Sequence, residues 1–252
     1  MKLNYRSYGT GEPLIILHGL FGSSDNWQTL GKRFSDHYKV YLVDQRNHGK
    51  SPHSDAFNYD IMAEDLHELI EELGYDKVNL IGHSMGGKTV IAFAAEHPEM
   101  IKKMVVADIG YKAYPMHHDH ILEGLHSLNL DEIDSRGEAD EKLKETIKEW
   151  GVRQFLLKNL YWVKKGKLAW RMNLDVLSEK MENILAEVEF DKIEVDTLFI
   201  RGAKSNYILD SDIEDLKKKL PSSRIHSIEE AGHWVHAEAQ DEFYQVVTDF
   251  LE

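Results

Sequence analysis

The residues Gly82-His83-Ser84-Met85-Gly86-Gly87 constrain this chain more than any others, because they stand between an apolar run, Lys77 to Ile81, and a helix-compatible run that opens at Lys88. A strand that turns at once into a helix must hold its turn residue in a strained backbone conformation, and glycines two places before and after Ser84 let the chain pass close to itself. The following helix sets its amino-terminal amides and the positive end of its dipole beside the serine oxygen, where negative charge develops in acyl transfer. Ser84 is therefore the candidate nucleophile.

The run before Ser84 is one of five. Leu14 to Leu17, Val40 to Val43, Val78 to Ile81, Met104 to Ala107 and Leu198 to Ile200 alternate with helical segments, a pattern that predicts an α/β fold with a mostly parallel sheet flanked by helices. Leu3 to Tyr8 reads as an antiparallel edge strand of a hairpin, with Gly9 to Pro13 as its turn. From Tyr111 the sequence turns helix-forming and charge-rich, with helical segments at Leu122 to Leu130, Asp140 to Trp150 and Leu174 to Leu185 and no clear buried strand. Arg136-Gly137-Glu138 and Lys164 to Lys167 read as turns there. The expected organisation is a core of residues 1–110 and 191–252, with a helical cap of residues 111–190 inserted in it. Trp150, Phe155, Tyr161, Trp162 and Trp170 give the cap an aromatic inventory suited to covering an apolar pocket, though each also suits ordinary packing.

Composition narrows the partners. Lys and Arg total 30 against 44 Asp and Glu, a formal net charge of -14, which disfavours nucleic acid and anionic membrane. The chain has no cysteine, so disulfides, thiolate metal sites and a cysteine nucleophile are excluded while the redox compartment stays open. Met1 to Gly9 is polar and alternating, and no apolar run has the length of a bilayer span. These features predict a soluble, cytoplasmic protein; oligomeric state is not read from them.

A serine nucleophile needs a base, an orienting acid and an oxyanion hole. The base is expected in a loop late in the chain, after the last strand. Ala231-Gly232-His233-Trp234 follows the strand-like Ile225 to Ile228, so His233 is the candidate, with His236 as a packing or capping residue. One oxyanion amide is expected from Met85, directly after the nucleophile. The second is expected from the loop after the first parallel strand, His18-Gly19-Leu20-Phe21-Gly22, with Leu20 as the donor and Phe21 as the neighbour able to replace it.

His18-Gly19, Asp44 to Ser51, the turn at Ser84 and Gly232-His233, in that order, resemble the α/β-hydrolase fold family over nearly the whole chain. Gln45-Arg46-Asn47-His48-Gly49, Gly82 to Lys88, Gln154 to Lys158 and Gly232 to Glu238 are similar to the bacterial YbfF-type esterases. Many α/β hydrolases carry the acid three residues beyond the glycine that here ends Leu198-Phe199-Ile200-Arg201-Gly202, where this chain has Ser205, which cannot supply the charge that stabilises an imidazolium. The preceding strand ends in Asp108, the other position in this fold from which a carboxylate reaches the histidine. The resemblance implies the same pairing, with Asp108 as acid and Ser205 as an auxiliary hydrogen-bond partner. Asp210 and Asp212 are the alternative acids, though they suit at least as well the role of residues introducing the helix from Ile213; Arg46 and His48 are able to polarise the site but read better, with Asp44, as supports of the turn after their strand.

The resulting expectation is a cofactor-independent serine esterase acting on carboxylic esters of small to medium acyl groups, with thioesters as a second class, through an acyl-enzyme. Other triad chemistries of the fold (carbon–carbon hydrolysis, perhydrolysis, lyase) and a slow-turnover ligand receptor are the alternatives, since fold does not fix function. His117-His118-Asp119-His120 invites a metal reading, but a metal needs ligands converging from more than one run, so no metal is expected there and the run reads as a solvated cap entrance.

Overall fold

The structure is a computed structural model of the protein that describes residues 1–116 and 118–252. The first half supplies β1 (Asn4–Tyr8), β2 (Glu12–Leu17), α1 (Gln28–Phe34), β3 (Tyr38–Asp44), α2 (Tyr59–Leu73), β4 (Val78–His83), α3 (Met85–Glu96) and β5 (Ile101–Ala107). Side chains alternate across a strand, so each buried strand feeds two cores. In β2, Ile15 and Leu17 join Leu66, Ile70 and Val90 of α2 and α3, whereas Leu14 and Ile16 join Leu30 and Phe34 of α1. The apolar runs are continuous because both faces of these strands are covered.

Between β5 and the next core strand lie α4 (Asp119–Ser127), α5 (Arg136–Leu143), α6 (Trp150–Leu157), the hairpin β6 (Leu160–Lys164) and β7 (Lys167–Trp170), α7 (Leu174–Glu179) and α8 (Met181–Leu185). The chain then returns to the core with β8 (Thr197–Gly202), α9 (Ile213–Lys219), β9 (Ser223–Ile228), α10 (Val235–Glu238) and α11 (Gln240–Leu251). The seven-stranded sheet runs β1-β3-β2-β4-β5-β8-β9, parallel throughout except for β1. From β2 the chain crosses to β3 on one side and later to β4 on the other. That reversal opens a crevice at the carboxyl ends of β2 and β4, the place where ligands bind in such sheets.

Four expectations are corrected. β1 is antiparallel, but it pairs with β3, Asn4 opposite Asp44 and Tyr8 opposite Val40, not with β2. Both edges of β2 are already taken by β3 and β4, so only the far edge of β3 is free for it. Arg136-Gly137-Glu138 is the first turn of α5, because the Ser135 hydroxyl accepts the Glu138 amide at 3.1 Å and caps that helix. The segment Leu160–Trp170 is a hairpin, with Lys165-Gly166 at its tip and Gly166 at φ 77°. Only Leu160 and Leu168 of its strands are buried, too weak an apolar signal to read as a strand. The helix expected over Leu174 to Leu185 is broken at Lys180 into α7 and α8.

Several hydrogen bonds tie these inserted elements to the core. Asn159 Nδ2 donates to the Phe21 carbonyl at 2.7 Å, Tyr59 Oη to the Ile184 carbonyl at 2.8 Å, and the Asn173 amide to the Asn47 carbonyl at 2.8 Å. Of the aromatic residues there, Phe155 faces Trp234 at 5.8 Å between ring centres. Trp150 and Trp162 are 67% and 49% exposed, so they face solvent rather than cover a pocket.

Candidate active site

Ser84 ends β4 and begins α3 with φ 51° and ψ -120°, the strained turn that the flanking glycines make possible. A Cβ on Gly82 would sit 2.2 Å from the Gly86 carbonyl oxygen, and one on Gly86 would sit 2.6 Å from that of Leu17. Neither position has room for a side chain.

His233 stands in the loop between β9 and α10, its Nε2 3.0 Å from Ser84 Oγ and its Nδ1 2.8 Å from Asp108 Oδ2. A carboxylate oxygen can only accept from that ring nitrogen, so Nδ1 carries the hydrogen and Nε2 is left to accept from the serine. Asp108 directly follows β5, is fully buried and has φ 50°. Its Oδ1 accepts the Gly202 amide at 3.0 Å, and the Ser205 hydroxyl donates to its Oδ2. The Tyr207 amide in turn donates to Ser205 Oγ at 3.3 Å, which orients that hydroxyl toward the carboxylate. Asp210, by contrast, pairs with Arg201 at 2.5 Å with 87% of its side chain exposed.

The loop after β2 lies against the nucleophile. A Cβ on Gly19 would meet Ser84 Cβ at 3.2 Å and the His83 ring at 2.9 Å, so the loop approaches this closely only through glycine. The Phe21 amide donates to His48 Nε2 at 3.2 Å, which takes it out of contention as an oxyanion donor. Among the described residues the Leu20 amide has no acceptor, and neither has that of Met85, the first residue of α3.

The segment after β3 holds this loop in place. Gln45 Nε2 donates to the His18 carbonyl at 2.7 Å, and the Gln45 amide donates to His18 Nε2 at 3.0 Å. Asp44 accepts the amides of Ser24 and Lys50 at 2.7 and 3.0 Å. Arg46 makes a buried, bidentate pair with Asp65 at 2.6 and 2.8 Å. The motif thus serves the oxyanion loop as well as its own turn.

Two contacts were not legible in the sequence. The Tyr207 ring stacks on the His233 imidazole at 3.9 Å and 17°, and His83 Nε2 donates to the His233 carbonyl at 2.9 Å. Both buttress the base from elements remote in sequence, and only the position of Tyr207, two residues past Ser205, hinted at either. Burial pushes His48 and His236 down to about 3 and lowers His18 and His83 as well. These rings stay neutral and act as fixed donors and acceptors. Burial and the Asp108 carboxylate push the Tyr207 phenol up to about 12. His236 stacks on Trp27 at 4.2 Å and 9°, the packing role expected of it.

Above Ser84 is a cleft of about 540 Å³, its open mouth included. Gly19, Leu20 and Phe21 form one side, Trp27 and Trp234 another, and Ile121, Val152 and Phe155 of α4 and α6 the roof. His118 lines it too, Asp119 and His120 open α4, and His117 lies outside the described residues.

The profile of the alpha/beta hydrolase fold family matches residues 12–141. The chain is 35% identical to Esterase YbfF of Escherichia coli over 257 residues, covering 100% of this chain and 99% of that protein. It is 38% identical over 253 residues to the sn-1-specific diacylglycerol lipase of Danio rerio, covering 97% of this chain and 80% of that one. Among solved structures it is similar to a marine microorganism esterase, with TM-score 0.96, 41% identity and 99% of each chain covered. Among the described residues no helix is long and apolar enough to cross a membrane.

Proposed function

The chain belongs to the alpha/beta hydrolase fold family, and from that premise we propose that it is a cofactor-independent serine esterase that hydrolyses carboxylic esters of small to medium acyl groups through an acyl-enzyme. The observation that carries this reading is the unbroken hydrogen-bond chain from Ser84 through His233 to Asp108, 3.0 and 2.8 Å long, beneath an apolar cleft.

In this mechanism Ser84 Oγ attacks the ester carbonyl carbon as His233 Nε2 takes its proton. The carbonyl oxygen gains the negative charge and receives the Leu20 and Met85 amides, which are held in place and need no reorganisation. The intermediate collapses, the carbon–oxygen bond to the alcohol breaks, and His233 gives its proton to the leaving oxygen. Water then attacks the acyl-enzyme with His233 as base, and the acid departs with Ser84 restored. A thioester passes through the same steps with sulfur as the leaving atom, so the reading extends to it. Asp108 holds the imidazole in the tautomer this sequence needs. Residues 111–190 act as the cap, with α4 and α6 bounding acyl length. The net charge of -14 supports a small-molecule partner over nucleic acid or an anionic membrane.

Ser84→Ala tests this. The variant stays folded and loses roughly 10⁴–10⁶ in kcat on an activated ester, the range seen when a serine nucleophile is removed. A folded variant that hydrolyses the ester undiminished would overturn the mechanism.

A further inference from the structure

Outside the catalytic cleft, one cluster brings metal-ligating side chains together from two helices. His67 lies on α2 and His97 is the residue that ends α3. Their imidazoles stack in parallel at 4.1 Å and 1°. Both rings stand on Phe93, which is fully buried, with ring centres 6.5 Å from His67 and 5.3 Å from His97. Glu64 precedes His67 by three residues, on the same face of α2. One ligand atom from each of Glu64, His67 and His97 lies within 4.8 Å of the other two.

We infer that Glu64, His67 and His97 bind a divalent transition-metal ion. Around them the surface is acidic. Glu71 lies 4.0 Å from His67 and Glu99 lies 3.8 Å from His97. Both carboxylates are mostly exposed, 65% and 68%, so either is free to swing in as a fourth ligand. Ligands of a tetrahedral ion at about 2.0–2.1 Å stand about 3.4 Å apart. Binding therefore requires the rings to leave the parallel stack and converge by roughly 1 Å, a rotation that half-buried side chains can make.

The donor set selects the ion. Imidazole nitrogen with one carboxylate suits zinc, nickel, cobalt and copper, and offers too few oxygens for magnesium or calcium. The ion would staple α2 to the far end of α3, some 13 residues and roughly 20 Å from Ser84. It would thus bear on stability and take no part in ester hydrolysis.

Untagged full-length protein, freed of metal with a chelator, is titrated with zinc, nickel, cobalt and magnesium by calorimetry and thermal unfolding. One zinc, nickel or cobalt ion binds per chain and raises Tm, magnesium does neither, and cobalt gives the intense visible absorption of a low-coordinate site. His67→Gln and His97→Gln each weaken zinc binding by more than the roughly 10–100-fold that loss of a supporting contact costs. Metal-free Tm and ester hydrolysis of these variants show that they are folded. Glu64→Gln, at an exposed position, supplies a ligand deletion with no bearing on packing and also weakens zinc. Millimolar or absent binding to the native chain, or equal zinc affinity in native protein and in His67→Gln/His97→Gln, overturns the site.

Discussion

At the scale of single residues, the catalytic end of the sheet is where the backbone is forced. Among the described residues four that are not glycine have positive φ: Phe21, Asn47, Ser84 and Asp108. They follow β2, β3, β4 and β5, which are neighbours in the sheet. Such conformations cost on the order of 1–3 kcal/mol each and persist only where the surroundings over-determine them. Around Asp108 the surroundings are three donors: Gly202, Ser205 and His233. Asp108→Asn keeps the shape but removes the charge and allows the wrong tautomer, so kcat on an activated ester falls roughly 10⁴-fold. Ser205→Ala falls less, because two donors to the carboxylate remain, and Asp210→Asn is unchanged. A crippled Asp210→Asn beside an active Asp108→Asn would reassign the acid. Ser84 and Asp108 were legible in the sequence because each closes an apolar strand run beside glycine, His233 because it follows the last strand in a Gly-His loop, and Ser205 through the resemblance to the YbfF-type esterases. Tyr207 and His83 were not, since stacking and a bond to a distant carbonyl leave no spacing to read.

At the scale of elements, the five core strands were readable because burial on both faces makes their sequences continuously apolar. The inserted segment was harder. Its helices are short and half exposed, and the hairpin of β6 and β7 buries too little to show a period. What holds that segment to the core also escapes any pattern. Lys88, on α3, is 1% exposed, and its Nζ donates to the carbonyls of Lys112 at 2.7 Å and Ala186 at 2.5 Å. These lie at the two ends of the insertion, so one side chain clasps its entry and exit. Burial pushes the Lys88 ammonium down to about 7, and the neutral amine still has a hydrogen for each carbonyl. Lys88→Met fills the space but leaves both carbonyls unpaired, at about 1–3 kcal/mol each. Tm then drops by roughly 4–24 °C for a chain of this size; an unchanged Tm would mean that the clasp carries no load.

At the scale of the whole molecule, buried histidines make the fold less stable in acid. His18, His48, His83 and His236 all have pKa values lowered by burial, against about 6.5 in the unfolded chain. Below that value the unfolded chain binds protons that the folded one refuses. Their stabilising contribution is therefore complete above pH 6.5 and is lost as pH falls through the lowered folded values, about 3 for His48 and His236. Tm measured from about pH 7.5 to 4.5 should fall steadily below 6.5, and a flat profile would show that these rings titrate normally when folded. The same packing that keeps them neutral keeps Ser84, His233 and the Leu20 amide aligned under the cleft. The alignment is tested most directly by mixing the enzyme with an activated ester, quenching within the first turnovers and mapping the acyl group by peptide mass. The account predicts one acyl group per chain on the peptide containing Ser84, and none anywhere on Ser84→Ala. An acyl group on another residue, or rapid turnover by Ser84→Ala, would contradict it.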